Sequence, residues 1–321
     1  MSQRFAPDMA TVSVVIPVLN EEASLRPLYE EIRTALEPLD LRYEVVFVDD
    51  GSTDASFAVI EELHAADPRV RAVQFRRNFG KSAALSAGFA MAQGDVVVTM
   101  DADLQDDSAE IPRFLAKLDE GYDLVSGWKY PRRDPWTKTW PSRLFNWTTA
   151  LLSGVHLHDF NCGFKAYRRE VTQEFDLYGE LYRYIPVLAH WRGFRVTEIK
   201  VHHRPRRFGR SKYGAARFLR GFFDLLTVLF ITQYTTRPLH LFGWAGLAAF
   251  GAGLLINLYL SLLWLQGEPI GTRPLLTLGV LLLTTGVQFF SFGLLAEMLT
   301  KSASTGRPHY SVRRTLGDGS R

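Results

Sequence analysis

Residues 96–105 read Val-Val-Val-Thr-Met-Asp-Ala-Asp-Leu-Gln, an apolar run that ends in two carboxylates and an amide. The pattern occurs twice upstream. Val12–Leu19 (VSVVIPVL) runs into Asn20-Glu21-Glu22, and Tyr43–Val48 (YEVVFV) runs into Asp49-Asp50-Gly51-Ser52-Thr53-Asp54. Runs that stay apolar rather than alternate are expected of strands covered by helices on both sheet faces. The intervening stretches have helical spacing: Ser24–Leu36, Ala55–Ala66, Lys81–Ala92 and Ser108–Leu118. Further strands are expected at Val70–Phe75 and Leu124–Gly127. Repeated strand–helix units predict an α/β fold with a doubly wound, mostly parallel sheet. Ligands of such sheets sit beyond the carboxyl ends of the strands, where the three acidic turns fall. One acidic turn is ordinary cap and turn chemistry. Three on one edge call for a further reason.

Asp101 and Asp103 are two residues apart, so on an extended backbone their side chains point the same way. Two close carboxylates repel unless a cation lies between them. With the Gln105 carbonyl they form a hard-oxygen set, suited to Mg2+ or Mn2+ rather than zinc, with water and substrate phosphates completing the shell. No Gly-x-Gly-x-x-Gly follows the first strand, and no Gly-x-x-x-x-Gly-Lys-Ser/Thr occurs. A dinucleotide oxidoreductase or a P-loop ATPase would therefore lack its phosphate cradle. His156, His158, His202 and His203 have no Cys or Glu at zinc spacing. The single Cys, Cys162, excludes a disulfide framework and reads as a packing residue.

The 321 residues carry 37 Lys+Arg against 34 Asp+Glu, a net +3, too mild for a protein that coats nucleic acid. Charge is absent, however, from Leu239 to Leu265 and from Pro274 to Ala296. A bilayer core of ~30 Å takes about 20 apolar residues in a helix, so both stretches can span it. Only Gln266–Arg273 separates them, which predicts a hairpin with both ends on one side. The outer flanks carry Arg217, Arg220, Arg237, Lys301, Arg307, Arg313 and Arg314 against one Arg in the connecting loop, so both termini are expected in the cytoplasm. Residues 1–11 lack the apolar stretch of a signal peptide. The chain is therefore expected at the inner (plasma) membrane as a multi-pass protein. The expected organisation is a cytosolic domain over 1–212, an amphipathic segment over 213–236, two transmembrane helices within 237–299 (about 239–265 and 274–298), and a basic tail over 300–321. The amphipathic segment suits either the membrane surface or a face of the soluble domain. Gly243, Gly246, Gly251 and Gly253 permit close helix packing, within the hairpin or between copies in a homo-oligomer.

Seven segments, VVIPVLNEE (14–22), VDDGSTD (48–54), RNFGKS (77–82), DADLQ (101–105), DFNCGFKAYRR (159–169), ELYRYIP (180–186) and HRPRRFGRSKY (203–213), together resemble family 2 glycosyltransferases of the GT-A fold. The similarity points in particular to the polyprenyl-phosphate sugar synthases, among them dolichol-phosphate mannose synthase and bacterial bactoprenol glucosyltransferases. The resemblance implies a metal-dependent, inverting transfer of one sugar, glucose ahead of mannose or aminoarabinose. The donor is a nucleotide sugar, UDP ahead of GDP, and the acceptor is polyprenyl (undecaprenyl or dolichyl) phosphate at the cytoplasmic leaflet. By position it assigns Pro17, Leu19, Glu21, Val48, Asp50 and Asp101 to nucleotide binding. Asp101, Asp103 and Gln105 would hold Mg2+ or Mn2+, which makes Asp103 essential to catalysis. Asp159 is a base or an acceptor-orienting group. Lys129, Arg143, Arg206, Ser211 and Lys212 meet phosphate, with Arg143 at the reacting centre; at the position of Lys129 relatives often carry Arg. The Gln-x-x-Arg-Trp of processive synthases is absent, as expected for a single transfer. A membrane-anchored nucleotide-sugar-binding protein without turnover is the alternative of another class. The orientation is tested by adding protease outside sealed cells: the tail around Arg313 should stay intact, and its cleavage would reverse the topology.

Overall fold

The computed structural model describes residues 11–130, 146, 149–151, 153–175, 177, 179, 181–204, 238–271 and 273–303. The chain divides into two units, one ending at Val228 and one beginning at Leu229. Among the described residues the first holds seven strands: β1 (Thr11–Val18), β2 (Arg42–Asp49), β3 (Val70–Gln74), β4 (Val96–Thr99), β5 (Leu124–Lys129), β6 (Lys165–Arg168) and β7 (Val196–Val201). Its helices are α1 (Glu22–Leu36), α2 (Ser56–Ala66), α3 (Lys81–Met91), α4 (Ile111–Asp119), α5 (Arg169–Gln173) and α6 (Ile185–Trp191). The expected strand–helix alternation is present through β5, with ends displaced by up to three residues.

One sheet contains all seven strands in the order β3-β2-β1-β4-β6-β5-β7. β1, β2, β3 and β4 are mutually parallel. β6 runs antiparallel between β4 and β5, and β7 pairs parallel with β5. The chain leaves β3 at one edge and returns as β4 on the other side of β1, so the winding reverses between β1 and β4. A crevice opens at such a reversal, outside the carboxyl ends of the strands. Sequence periodicity had stopped at β5. β6 (Lys-Ala-Tyr-Arg) is four residues long and half charged, too short to show a strand pattern.

The helices pack by their apolar stripes. Leu25, Leu28, Ile32 and Leu36 of α1 are fully buried, as are Ile111, Phe114 and Leu118 of α4. α4 is entered through a short 3-10 turn, Ser108–Glu110, whose preceding Asp107 accepts a hydrogen bond from Ala109 N at 3.1 Å. The opposite, amino-terminal edge of the sheet is tied by a buried carboxylate. Glu44 Oε1 accepts from Ser13 Oγ and Gln93 N, each at 2.6 Å, and Oε2 accepts from Arg71 Nη1 at 2.7 Å. Burial alone would raise the Glu44 pKa; these donors outweigh it and hold the carboxyl below its ordinary value.

The second unit holds two helices, α7 (Pro238–Leu265) and α8 (Pro274–Ala303). Within them Leu239–Leu265 and Pro274–Leu299 are long and apolar enough to cross a membrane. They lie close because glycines recur at seven-residue steps where the backbones meet. A Cβ on Gly246 would fall 2.8 Å from Gly286 O, and one on Gly253 would fall 2.8 Å from Gly279 O. Gly251 has nothing within 4 Å of that position. Gly246 and Gly253 therefore serve the contact inside the hairpin, and Gly251 does not.

Replacement of Glu44 by Ala should destabilise the soluble unit by about 2 kcal/mol, because Arg71 and the Gln93 amide lose a buried acceptor. The folded-state pKa is depressed, so this contribution is complete above the ordinary value of 4.5 and is lost as pH falls below it. Thermal unfolding of both proteins at pH 7 and pH 3.5 measures it: the difference in Tm should shrink at the lower pH.

Candidate active site

The first two acidic turns are knitted together by short polar side chains. Asn20 takes a left-handed backbone, φ 52°. Its amide donates to Ser52 Oγ at 2.9 Å, and its Oδ1 accepts from Thr53 N at 2.7 Å. Glu21 N donates to Ser56 Oγ at 2.9 Å. Asp50 is buried, and its two oxygens accept from Phe79 N at 2.7 Å and Gly80 N at 3.0 Å. Between these turns Gly51 has φ 73°, and a Cβ there would lie 2.5–2.7 Å from the Arg77–Asn78 backbone. The segment between β3 and α3 is thus laid against the end of β2 by Asp50.

The third acidic turn differs from its expected form. β4 ends at Thr99, and the chain turns at once instead of extending through Asp103. Leu104 is buried with φ 59°, a conformation that costs a leucine about 1–3 kcal/mol and that clusters at functional sites. Asp101 and Asp103 therefore lie on a turn and do not continue the strand. Asp103 Oδ1 accepts from Gln105 N at 3.2 Å. The Gln105 amide nitrogen donates to Arg204 O at 3.3 Å, and Arg204 N donates to Gln105 O at 2.9 Å. Strand β7 thus hands directly on to this turn.

Asp101 lies in a setting of alternating charge. Its Oδ1 pairs with Lys81 Nζ at the start of α3, and its backbone N donates to Asp106 Oδ2 at 3.3 Å. Lys129 Nζ, at the end of β5, stands 3.9 Å from Asp106 Oδ1. Burial alone would raise the Asp101 pKa; Lys81, Lys129 and Lys165 reverse that and bring it to about 2. Burial and the Asp101 charge raise Asp106. Lys129 is held above its ordinary value because Asp106 and its neighbours outweigh burial. Asp159 is buried in the loop before β6, and its Oδ1 accepts from Asn161 N at 3.0 Å.

Of the nucleotide-site expectations, Pro17, Leu19 and Glu21 are half-buried at the end of β1. Val48 is fully buried, with Gly88 of α3 against it, so its side chain belongs to the core. Arg143, Arg206, Ser211 and Lys212 lie outside the described residues, as does the 213–236 segment. Cys162 is buried, its thiol pushed up to about 12 by burial, in keeping with a packing role. Sequence reasoning gave no role to Lys81, Asp106, Gly163 or Lys165. Lys81, Gly163 and Lys165 lie in quoted segments and Asp106 adjoins DADLQ, but only the crossover from β3 to β4 and the insertion of β6 bring the four together.

A divalent cation fits the donor chemistry. Among the described residues no three His, Cys, Asp or Glu form a closed metal cluster; the Asp101 and Asp103 carboxylates and the Gln105 carbonyl would make up a partial, hard-oxygen set. That is how Mg2+-type ions are commonly held, with substrate phosphates completing the shell. Room at Asp101 is kept by Gly163, where a Cβ would come within 2.8–2.9 Å of both carboxylate oxygens.

The mixed, mostly parallel sheet, whose winding reverses between β1 and β4, is of the GT-A type. Solved structures share the fold: glucosyl-3-phosphoglycerate synthase from Mycobacterium tuberculosis, crystallised with Mn2+, uridine diphosphate and phosphoglyceric acid, has a TM-score of 0.52 at 23% identity, covering 70% of this chain and 78% of that one. Residues 13–175 match the family model "Glycosyl transferase family 2", and residues 237–302 match "GtrB C-terminal hairpin". The chain is 38% identical over 317 residues to dodecaprenyl-phosphate galacturonate synthase of Rhizobium johnstonii, covering 96% of this chain and 94% of that protein. It is 39% identical over 310 residues to undecaprenyl-phosphate 4-deoxy-4-formamido-L-arabinose transferase of Pseudomonas paraeruginosa, covering 95% and 90%. The chain belongs to glycosyl transferase family 2, and it is a glycosyltransferase of the branch that carries this hairpin.

Replacing Gly163 by Ala should force Asp101 from its place. Titration calorimetry of the full chain with UDP and Mn2+ should show affinity falling at least tenfold; unchanged affinity would remove Gly163 and Asp101 from the cation site.

Proposed function

We propose that the protein moves one sugar from a UDP-sugar to the phosphate of a polyprenyl lipid at the cytoplasmic leaflet, inverting the anomeric centre, with Mg2+ or Mn2+. The observation that carries this reading is the union, in one chain, of a family 2 carboxylate edge with a membrane-length hairpin. Named transferases that act with polyprenyl phosphate match that union from end to end. The names of those relatives specify galacturonate and 4-deoxy-4-formamido-L-arabinose. These sugars therefore precede glucose as candidate donors, and the aminoarabinose alternative gains weight.

Asp101, Asp103 and Gln105 would hold the cation, which when bound supplies Lewis-acid stabilisation of the departing diphosphate. Lys81 and Lys129 place positive charge where two anionic substrates must approach each other. The acceptor is a phosphate monoester whose second pKa is near 6, so at neutral pH it is largely a dianion and already nucleophilic. Asp159 then acts by orienting the acceptor, and a strong base is unnecessary. Arg143, Arg206 and Lys212 are assigned to phosphate by their sequence positions. The uncharged hairpin anchors the domain, and its Lys/Arg-rich flanks put both termini in the cytoplasm. End-to-end similarity to named transferases favours turnover over a binding protein.

The test uses purified chain in detergent with undecaprenyl phosphate, Mg2+ or Mn2+ and a panel of labelled nucleotide sugars. Label should enter lipid with one donor, and Asp103→Asn should lower that rate by at least a hundredfold while leaving membrane insertion intact. Nucleotide binding with no lipid-linked product from any donor would favour the binding protein; near-normal transfer by Asp103→Asn would remove the cation from the mechanism.

A further inference from the structure

Lys165 is the largest charged side chain in the fully buried core, yet it carries no part of the reaction described above. It begins β6, the antiparallel strand inserted between β4 and β5. Its ammonium does not reach solvent. It turns back on the preceding loop, donating to Cys162 O and, at 3.5 Å, to Phe160 O. A desolvated ammonium costs several kcal/mol unless it is paired or hydrogen-bonded. Carbonyl oxygens two residues apart are an unusual choice of partner when Asp101 and Asp159 are near enough to perturb it. Burial draws the Lys165 pKa down to about 8, whereas Lys129, facing Asp106 across the same edge, is raised.

The two carbonyls belong to the loop that delivers the site's remaining groups. Asp159 stands immediately before Phe160, and Gly163 immediately after Cys162. The far end of the loop is held by Thr99 of β4, whose Oγ1 donates to Gly163 O at 2.8 Å. The near end closes on itself through Asn161 N and Asp159 Oδ1 at 3.0 Å. Between these ties, Lys165 is the donor to the loop's middle carbonyls. Without it the middle of the loop loses its side-chain donor and the Asp159 carboxylate loses definition, while Gly163 stays tied to β4 through Thr99.

We infer that Lys165 is a positioning residue for sugar transfer: its buried ammonium clamps the Phe160 and Cys162 carbonyls and thereby sets Asp159 against the acceptor. The inference rests on the proposed function, with Asp159 as the orienting group. It predicts a division between binding and turnover. The nucleotide-binding turns at the ends of β1 and β2 make no contact with this loop in the hydrogen bonds described, so donor affinity should be indifferent to Lys165, and turnover should not.

The chain contains a reporter for the clamp. Cys162 is its single cysteine and is buried in the clamped loop. Full-length protein and Lys165→Met are compared in detergent by maleimide labelling of Cys162, by thermal unfolding, by calorimetry with UDP and Mn2+, and by transfer to undecaprenyl phosphate with the donor active in the parent. Labelling of Lys165→Met should accelerate at least tenfold at a temperature well below its Tm. Its kcat should fall at least thirtyfold, with UDP affinity and donor KM within twofold of the parent. Asp159→Asn should lose turnover while Cys162 stays protected. Labelling at the parent rate would show that Lys165 does not hold the loop. Faster labelling with parental kcat, or equal losses in UDP affinity and kcat, would reduce it to a structural lysine. If Lys165→Met does not fold, Lys165→Gln, which keeps an N–H donor on a shorter arm, is read by the same criteria. If the parent transfers no sugar at all, the proposed function fails, while the Cys162 rates still decide whether the clamp exists.

Discussion

Three carboxylates gathered at one sheet edge, two of them buried and Asp101 half-buried, would repel one another strongly, and the first unit is organised around relieving that repulsion. Asp101, Asp106 and Asp159 all lie there, and Lys81, Lys129 and Lys165 reach the same place from α3, β5 and β6. Each lysine arrives from a different element, so the charge balance exists only when the whole sheet is assembled. The consequence falls on Asp101: the lysines hold its carboxyl below the usual carboxylate range although burial opposes it. An edge so balanced can accept an anionic diphosphate together with a divalent cation without a large change in net charge.

The loops around this cluster are rigid for local reasons. Asp50 holds the segment before α3 by two backbone amides, Asn20 and Ser52 join the ends of β1 and β2, and Arg204 exchanges hydrogen bonds with Gln105. Carboxylates expected to meet ligand are thus of two kinds. Asp50 spends both oxygens on the protein's own backbone, and Asp101 and Asp103 sit on a strained turn that presents them at the edge. The same contrast separates the lysines, since Lys81 and Lys129 pair with carboxylates and Lys165 clamps carbonyls.

In the hairpin, close backbone approach replaces charge as the organising constraint. Between two apolar helices in lipid there is little hydrophobic gain from contact, so packing and shape decide. Glycines at seven-residue steps on both helices supply that shape. The spacing was present in the sequence, but which glycines face the partner helix depended on the phase of two helices relative to each other.

The strand–helix order through β5, the acidic ends of β1, β2 and β4, and the two long apolar helices were legible in the sequence, because each is a local pattern: an apolar run, a helical stripe, a long stretch without charge. The motif residues Asp101, Asp103 and Asp159 were legible by resemblance. The antiparallel placement of β6, the turn after Thr99 and the partners of each lysine were not. The pairing of β6 and the ion pairs of Lys81 and Lys129 join residues far apart in the chain, and no periodicity encodes which strand will insert between two others. Sequence therefore determined the family and that the chain bears a membrane-length hairpin. Tertiary structure alone decided how those charges are compensated, because compensation is a matter of distance between elements that meet only after folding.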